Sequence, residues 1–193
     1  SSVTSLRPGD RVIVNQVTSC GHCYPCRMGR GNVCDSLAVR GVHIDGGYQE
    51  YIAVPQEDCY LLPDSISDTD AVMIEPATIA IQSCTRAELR KDDMLLIYGC
   101  GALGSSILKI ARLLCDYIIV ADVIDEKLEG AKSAGAAHTI NVLKENLEEK
   151  IKEYTHGHGA TVSIDAVCGN DSLIRLLKAT GNAGRVITMG FST

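Results

Sequence analysis

In the second half of the chain, short apolar runs alternate with longer amphipathic segments. The apolar runs suit buried parallel strands, whereas the intervening segments repeat their apolar positions with the period of a helix. This pattern predicts five strands, over residues 94–98, 117–121, 138–140, 162–166 and 185–189. It also predicts four helices, over residues 102–115, 126–134, 146–154 and 171–180. Because strands and helices alternate, we expect right-handed crossovers and a doubly wound parallel sheet of the α/β class.

The first half of the chain has a different pattern, in which short strands are separated by turns. The alternation predicts strands over residues 11–14, 48–54 and 59–62. A short helix over 68–74, with Ser67 as its N-cap, and a longer helix over 76–86 then follow. The change in pattern predicts two domains, a β-rich domain over residues 1–75 and an α/β domain over residues 76–193.

Charge and composition narrow the class of protein. The net charge of −6 and the isoelectric point near 5.3 argue against a nucleic-acid partner and against an anionic membrane surface. The apolar stretch over residues 107–123 is interrupted by charged residues and is therefore not expected to span a membrane. No segment resembles a signal peptide, so we expect a cytoplasmic protein.

Three glycines follow the first strand of the α/β half with the spacing G-x-G-x-x-G. Gly99 would allow a tight turn, Gly101 would let a diphosphate approach the backbone, and Gly104 would let the next helix pack closely. Many turns match this spacing by chance, and a structural turn in another α/β protein is the alternative. The turn follows a strand and opens a helix, however, as a dinucleotide-binding turn requires.

An acidic residue strengthens the dinucleotide interpretation. Asp122 follows the next predicted strand, 18 residues beyond Gly104, where a carboxylate can bind both ribose hydroxyls of an adenosine. The same carboxylate would repel a 2′-phosphate, so NAD is favoured over NADP. Lys127 lies one helical turn further on and could reach the adenosine, although a solvated helix residue is its alternative interpretation.

Four of the nine cysteines are clustered as C-x2-C-x2-C-x7-C, at Cys20, Cys23, Cys26 and Cys34. Two-residue gaps let thiolates converge on a tetrahedral zinc ion, and four sulfurs leave no position for water or substrate. The spacing therefore predicts a structural zinc lobe over residues 20–34. There are three alternatives. A cytoplasmic composition disfavours two disulfides, and the last gap is not that of a ferredoxin iron–sulfur cluster. A thioredoxin-like pair would lie by the first βαβ strand, and these cysteines do not. The other five are expected to be small buried apolar residues: Cys59, Cys84, Cys100, Cys115 and Cys168.

The two motifs together resemble the zinc-dependent medium-chain dehydrogenases of the alcohol and sorbitol dehydrogenase type. Several stretches carry the resemblance, namely Leu6-Arg-Pro-Gly-Asp-Arg-Val, Asp45-Gly-Gly-Tyr-Gln-Glu-Tyr and Ile74-Glu-Pro-Ala-Thr-Ile-Ala-Ile. Four further stretches, which begin at Ser19, Gly41, Val72 and Met189, are similar to the branch of this family that includes a bacterial starvation-sensing protein and sugar-acid 5-dehydrogenases. The resemblance implies a truncated GroES-like β domain followed by a truncated Rossmann sheet that lacks its last strand.

The resemblance also implies roles for particular residues. Ala102 and Leu103 match positions against the cofactor diphosphate, and the stretch Met189, Gly190 and Phe191 matches backbone that approaches the nicotinamide. Glu75 matches a carboxylate beside a catalytic zinc ion. Its alternative is a first-turn acid that stabilises the following helix through the helix dipole. The other ligands of that zinc would precede the first residue of this chain, so we expect an internal fragment that is inactive by itself.

For the whole protein, the resemblance implies NAD-dependent oxidation of a secondary alcohol in a polyol or sugar acid. It implies a homo-oligomer, a dimer or a tetramer. A non-catalytic NAD-binding regulatory protein on the same fold is the main alternative, and a quinone reductase is a third. The five histidines are expected to be structural or exposed and not ligands: His22, His43, His138, His156 and His158. Asp165, near the end of the fourth strand, is expected to be structural.

Overall fold

A computed structural model describes residues 3–189, which form two compact units that meet in sequence between Val72 and Met73. In the first unit, β1 (Val12–Val14) pairs antiparallel with β4 (Cys59–Leu61), and β2 (Val17–Thr18) pairs antiparallel with β3 (Ala38–Val39). Its helices are short, and they are α1 (Tyr24–Arg27), α2 (Asp68–Ala71) and the 3-10 turns Gly31–Val33 and Gln56–Asp58. Ser67 caps α2, as predicted, by accepting a hydrogen bond from the backbone N–H of Asp70 at 3.1 Å.

The prediction of a strand over residues 48–54 is wrong. This stretch has no regular secondary structure, and the side chains of Tyr48 and Tyr51 are exposed. An extended segment becomes a strand when its backbone groups pair with those of a neighbouring strand. Within residues 3–189, no strand pairs with residues 48–54. Its β-type residue pattern is therefore not sufficient for a strand in this chain.

A parallel sheet forms the second unit. Its strands, as far as the structure describes them, are β5 (Met94–Tyr98), β6 (Tyr117–Asp122), β7 (His138–Asn141), β8 (Ala160–Asp165) and β9 (Thr180–Thr188). They lie in the order β7-β6-β5-β8-β9, and every pair is parallel. The chain runs outward from β5 to one side and then resumes at β8 on the other. This reversal creates a topological switch point between β5 and β8, where such sheets bind ligands.

Helices cover both faces of this sheet, which makes it doubly wound as predicted. They are α3 (Ile74–Arg86), α4 (Ala102–Ala111), α5 (Asp125–Ser133), α6 (Leu147–Tyr154) and α7 (Ser172–Ala179). Leu95 and Ile97 of β5 face one hydrophobic cluster, which includes residues of α3, α4 and α5. Leu96 and Tyr98 face the other cluster, which includes residues of α6 and α7. Because successive side chains in a strand point to opposite faces, one apolar run supplies both cores.

Two predicted boundaries in this unit differ from the structure by four residues or more. The helix predicted over 102–115 ends at Ala111, and the residues that follow it form turns. The last strand begins at Thr180 and not at 185, because it follows β8 with a register shift between Ala160 and Val162. That irregularity accommodates the glycine-rich residues 181–184, which by themselves are typical of a turn.

Candidate cofactor and zinc sites

The four clustered cysteines come together in the first unit. The Sγ atoms of Cys20, Cys23, Cys26 and Cys34 all lie within 4.8 Å of one another, and those of Cys23 and Cys34 are 3.7 Å apart. Four sulfurs bound at ~2.3 Å to a tetrahedral zinc ion stand ~3.8 Å apart. The donor set and its spacing are therefore compatible with a structural zinc ion.

Local backbone structure places these sulfurs. Helix α1 carries Cys26, and the 3-10 turn Gly31–Val33 leads directly into the buried Cys34. The backbone N–H groups of Cys20 and Ser36 both donate to the Sγ atom of Cys34, each at 3.3 Å. Hydrogen bonds of this kind favour the thiolate and orient it toward a bound metal.

The thiols differ in how readily they ionise. Backbone hydrogen bonds from His22 and then from Cys23 lower the pKa of Cys20 to about 6. A hydrogen bond with the Cys23 thiol, followed by desolvation, raises the pKa of Cys26 to about 11. Thiolates are the form that binds metal, and a cation bound among the sulfurs favours the ionised form of each thiol.

All nine cysteines lie within the described residues, and all are free thiols. Cys84, Cys100 and Cys115 are buried, as predicted. Cys59 and Cys168 are only partly buried, so the expectation of five buried residues is wrong for these two. Cys59 is the first residue of β4, and Cys168 lies in the loop that follows β8.

The glycine turn connects β5 to α4 at the carboxyl end of the central strand. Gly99 has a φ of 96°, and a Cβ atom added there would lie 2.6 Å from Cγ2 of Val167. A Cβ atom on Gly104 would lie 1.9 Å from the carbonyl oxygen of Gly99. A Cβ atom on Gly101 would meet nothing within 4 Å. Gly99 and Gly104 are therefore required by packing, whereas the backbone of Gly101 is open to a ligand.

Helix α4 begins at this turn with Gly101 as its N-cap. Within the described chain, no side chain caps this end, and its first turn holds no acidic residue. The positive end of the helix dipole is therefore available to an anion. Ala102 is exposed in the first turn, while Leu103 packs partly against the core.

Asp122 ends β6 and directs its carboxylate to the glycine turn. Its Oδ2 atom accepts a hydrogen bond from the backbone N–H of Cys100 at 2.6 Å. Its Oδ1 atom accepts from the N–H groups of Val123 at 2.7 Å and Ile124 at 3.0 Å. The residue is only 8% exposed. These bonds hold the carboxylate beside the turn.

The remaining predicted cofactor residues are placed as follows. Lys127, in α5, is close enough for its charge to lower the pKa of Cys100, although burial and then Asp122 raise it more strongly. The Sδ atom of Met189 accepts a hydrogen bond from the buried Ser83 hydroxyl, so its side chain faces the core. Gly190 and Phe191, which were predicted to approach the nicotinamide, lie outside the described residues.

Comparison with known proteins identifies the family of the chain. A family model described as "Alcohol dehydrogenase GroES-like domain" matches residues 1–64, and one described as "Zinc-binding dehydrogenase" matches residues 102–193. The chain belongs to the zinc-type alcohol dehydrogenases. The GroES-like half carries the four cysteines, and the second half is the Rossmann-like sheet of this family.

Individual relatives agree with this assignment. The chain is 42% identical to the starvation-sensing protein RspB of Escherichia coli K12, over 99% of the chain and 56% of RspB. It is 32% identical to sorbitol dehydrogenase of Bacillus subtilis, over 98% of the chain and 54% of that enzyme. The crystal structure of the rspB alcohol dehydrogenase of E. coli CFT073, complexed with NADH, superposes with a TM-score of 0.89 at 42% identity. That match covers 96% of the chain and 55% of the crystallised protein.

The chain spans about half the length of the curated relatives that it matches. Among the described residues, no helix combines the length and the apolar character needed to cross a membrane. Because the chain spans only about half of these relatives, the activity of the whole protein is a matter for proposal.

Glu75 lies in the first turn of α3 and is partly buried. In residues 3–189, the four cysteines form the one cluster of at least three potential metal ligands, and Glu75 does not belong to it. Both roles predicted for Glu75, beside a catalytic zinc ion and at the helix dipole, stay predictions.

The histidines also lie outside the cysteine cluster. The His22 ring is 3.1 Å from the carbonyl oxygen of Cys20, and the His138 ring stacks on Tyr154 with centroids 3.9 Å apart. Asp165 is 1% exposed and accepts hydrogen bonds from the backbone of Val167 and Cys168, which agrees with a structural role.

The sequence did not reveal one group near Asp122. Asn141, the last residue of β7, is the register partner of Asp122 and donates a hydrogen bond to Asp125 at 2.6 Å. An asparagine at the end of a strand is the available signal in the sequence. Its partner is 16 residues away in the chain, however, and becomes evident only from the strand register.

Proposed function

We propose that the chain is the structural-zinc and NAD-binding part of a zinc-dependent oxidoreductase that oxidises a secondary alcohol of a polyol or sugar acid. Residues 1–75 form part of the GroES-like domain, and residues 76–193 form the NAD-binding domain. The observation that carries the proposal is the hydrogen bond between Asp122 and the backbone of the glycine turn. It joins a ribose-binding carboxylate to a diphosphate-binding turn in a single site.

The site suits NAD in three further respects. The open backbone at Gly101 and the uncapped end of α4 suit the diphosphate. The negative charge of Asp122 disfavours the 2′-phosphate of NADP. A groove of about 410 Å³ lies near the start of α6 and beside α7. Val142, Leu147 and Ile174 supply its apolar lining, and charged or polar residues supply the rest. Val142 follows the register partner of Asp122, so this groove is the place we assign to the adenine ring.

The residues of the chain position the cofactor and do not themselves carry the reaction. When bound, the nicotinamide accepts a hydride, and a catalytic zinc ion lowers the pKa of the alcohol hydroxyl. The turn, Asp122 and Lys127 would hold the adenosine diphosphate half, and the backbone from Met189 to Phe191 would lie along the nicotinamide. Glu75 would stand beside the catalytic zinc, whose other ligands would come from the rest of the protein.

Sorbitol dehydrogenase among the relatives supports a polyol or a related sugar acid as the substrate. The starvation-sensing name of RspB supports the alternative, a regulatory protein that binds NAD without catalysis. An assay of the whole protein with NAD and a panel of polyols and sugar acids separates the two. Formation of NADH with one of these alcohols supports the enzyme, and tight NAD binding without turnover supports the regulator.

Replacing Asp122 with alanine is expected to weaken NAD binding by ~1–3 kcal/mol, because hydrogen bonds to a charged group are lost. Binding of NADP, which the carboxylate disfavours, is expected to change less or to improve. Titration calorimetry of both cofactors against the wild-type chain and the variant measures the effect. Equal NAD affinity in the two proteins would show that Asp122 does not bind the ribose.

A further inference from the structure

Asn141 lies beside Asp122 at the edge of the proposed cofactor site. The two residues are register partners at the ends of β7 and β6, and the backbone N–H of Val142 donates to the carbonyl oxygen of Asp122 at 3.1 Å. Asn141 is only 6% exposed. Buried side-chain amides are normally hydrogen-bonded, so the partners of the Asn141 amide show which parts of the chain it holds together.

The Asn141 side chain holds the loop that follows Asp122. Its Nδ2 atom donates to Oδ1 of Asp125 at 2.6 Å and to the carbonyl oxygen of Val123 at 3.4 Å. Its Oδ1 atom accepts from the backbone N–H of Leu143 at 3.0 Å. Both the nitrogen and the oxygen of the amide are therefore hydrogen-bonded, and the side chain links the end of β7 to the residues that follow β6.

Lys144 completes this arrangement, which we name the Asn141 clasp: Asn141, Asp125 and Lys144. Lys144 forms an ion pair with Oδ2 of Asp125, so the two carboxylate oxygens of Asp125 have different partners. The hydrogen bond from Lys144, and after it the one from Asn141, lowers the pKa of Asp125. The Asp125 carboxylate is thus ionised at neutral pH and remains an acceptor for both.

The clasp and the Asp122 carboxylate both bind the same short segment, residues 123–125. Oδ1 of Asp122 accepts the N–H groups of Val123 and Ile124, and Asn141 binds Val123 and Asp125. If the clasp opens, we expect the segment to rotate and the hydrogen bonds from Val123 and Ile124 to Asp122 to weaken. The Oδ1 side of the carboxylate is therefore coupled to Asn141 through this segment, while its Oδ2 side is held by Cys100.

We infer that Asn141 is a positioning residue for ribose recognition, acting through Asp122 and the segment between them. The inference rests on the proposed function, because it assumes that Asp122 binds the ribose of NAD. A purely structural asparagine would change stability without a specific effect on the adenosine half of the cofactor. A positioning residue changes affinity only while Asp122 is present.

A double-mutant cycle distinguishes these two roles. NAD and ADP-ribose are titrated calorimetrically against the wild-type chain, Asn141→Ala, Asp122→Ala and the double variant. We expect Asn141→Ala to weaken both ligands about five- to tenfold, as for one lost buried hydrogen bond. In the Asp122→Ala background, we expect the same substitution to change affinity by less than about twofold, since coupled residues do not add.

Two further variants guard against a folding artefact. Asp125→Ala removes the exposed half of the clasp without a buried cavity, and we expect it to weaken both ligands in the same direction. Thr155→Val removes a buried hydroxyl that bonds Ile151 and Gly159 after α6, away from the glycine turn. We expect it to lower the melting temperature and leave both affinities unchanged.

The outcomes separate the inference from the proposed function. If Asp122→Ala weakens NAD binding but Asn141→Ala and Asp125→Ala do not, the inference is wrong and the proposed function stands. Additive losses in the double variant would also overturn it, because Asn141 would then act independently of Asp122. If Asp122→Ala has no effect, the ribose assignment and the inference both fail.

Discussion

Replacing Cys34 with serine is expected to remove the bound zinc ion from the chain. Cys34 is the buried member of the cluster, and its Sγ atom accepts two backbone hydrogen bonds and lies 3.7 Å from that of Cys23. Three thiolates and a hydroxyl bind zinc far less well than four thiolates. Because binding of structural zinc contributes ~10–16 kcal/mol in small zinc domains, we expect the lobe over residues 20–34 to lose its order.

Metal analysis of the purified chain measures this effect. We expect one zinc ion per wild-type chain and none in Cys34→Ser, with faster proteolysis within residues 20–34. Cys59→Ser is a matched control in the same unit, since the Cys59 thiol contacts only the carbonyl oxygen of Pro55 among the contacts described. Full zinc occupancy in Cys34→Ser, or iron in the wild-type chain, would contradict the assignment of the four-cysteine site.

Replacing Gly104 with alanine is expected to destabilise the second unit by about 3 kcal/mol or more. The new Cβ atom would lie 1.9 Å from the carbonyl oxygen of Gly99 and 2.9 Å from its carbonyl carbon. Both atoms belong to the backbone of the turn, so no side chain can rotate away, and overpacking of this kind costs ~1–3 kcal/mol even where relief is available. Urea unfolding followed by circular dichroism measures the loss, and NAD affinity is expected to fall with it.

Two other glycines serve as controls. A Cβ atom on Gly130, in α5, would meet nothing within 4 Å, so Gly130→Ala is expected to stabilise the unit by roughly 0.5–1 kcal/mol through helix propensity. A Cβ atom on Gly101 also meets nothing, and its φ of −74° suits alanine. We expect Gly101→Ala to leave stability nearly unchanged and to weaken NAD binding about tenfold or more, because the methyl group lies where the diphosphate approaches. Unchanged NAD affinity in Gly101→Ala would contradict the diphosphate assignment.

The α/β half of the chain was largely predictable because its signals are local. The apolar run Met94–Tyr98 and the glycines that follow it are adjacent in sequence, and each glycine has a separate steric or access requirement that can be anticipated. The cysteine spacing is local too, since short gaps bring Cys20, Cys23 and Cys26 together whatever surrounds them.

The failures concern features that depend on distant partners. Residues 48–54 have the composition of a strand, yet none forms because within the described chain no neighbouring strand pairs with them. The start of the last strand, at Thr180, follows from its irregular pairing with β8 and not from its own glycine-rich sequence.

By itself, the sequence determined the fold class, the four-cysteine motif, the glycine turn and the acidic residue 18 positions beyond it. Each is a matter of spacing along the chain, and spacing is what a sequence records. Only the tertiary structure decided that the Asp122 carboxylate reaches the backbone of the turn and that Asn141 holds the loop beside it. These contacts depend on the order and register of β5, β6 and β7, which follow from the packing of the whole sheet.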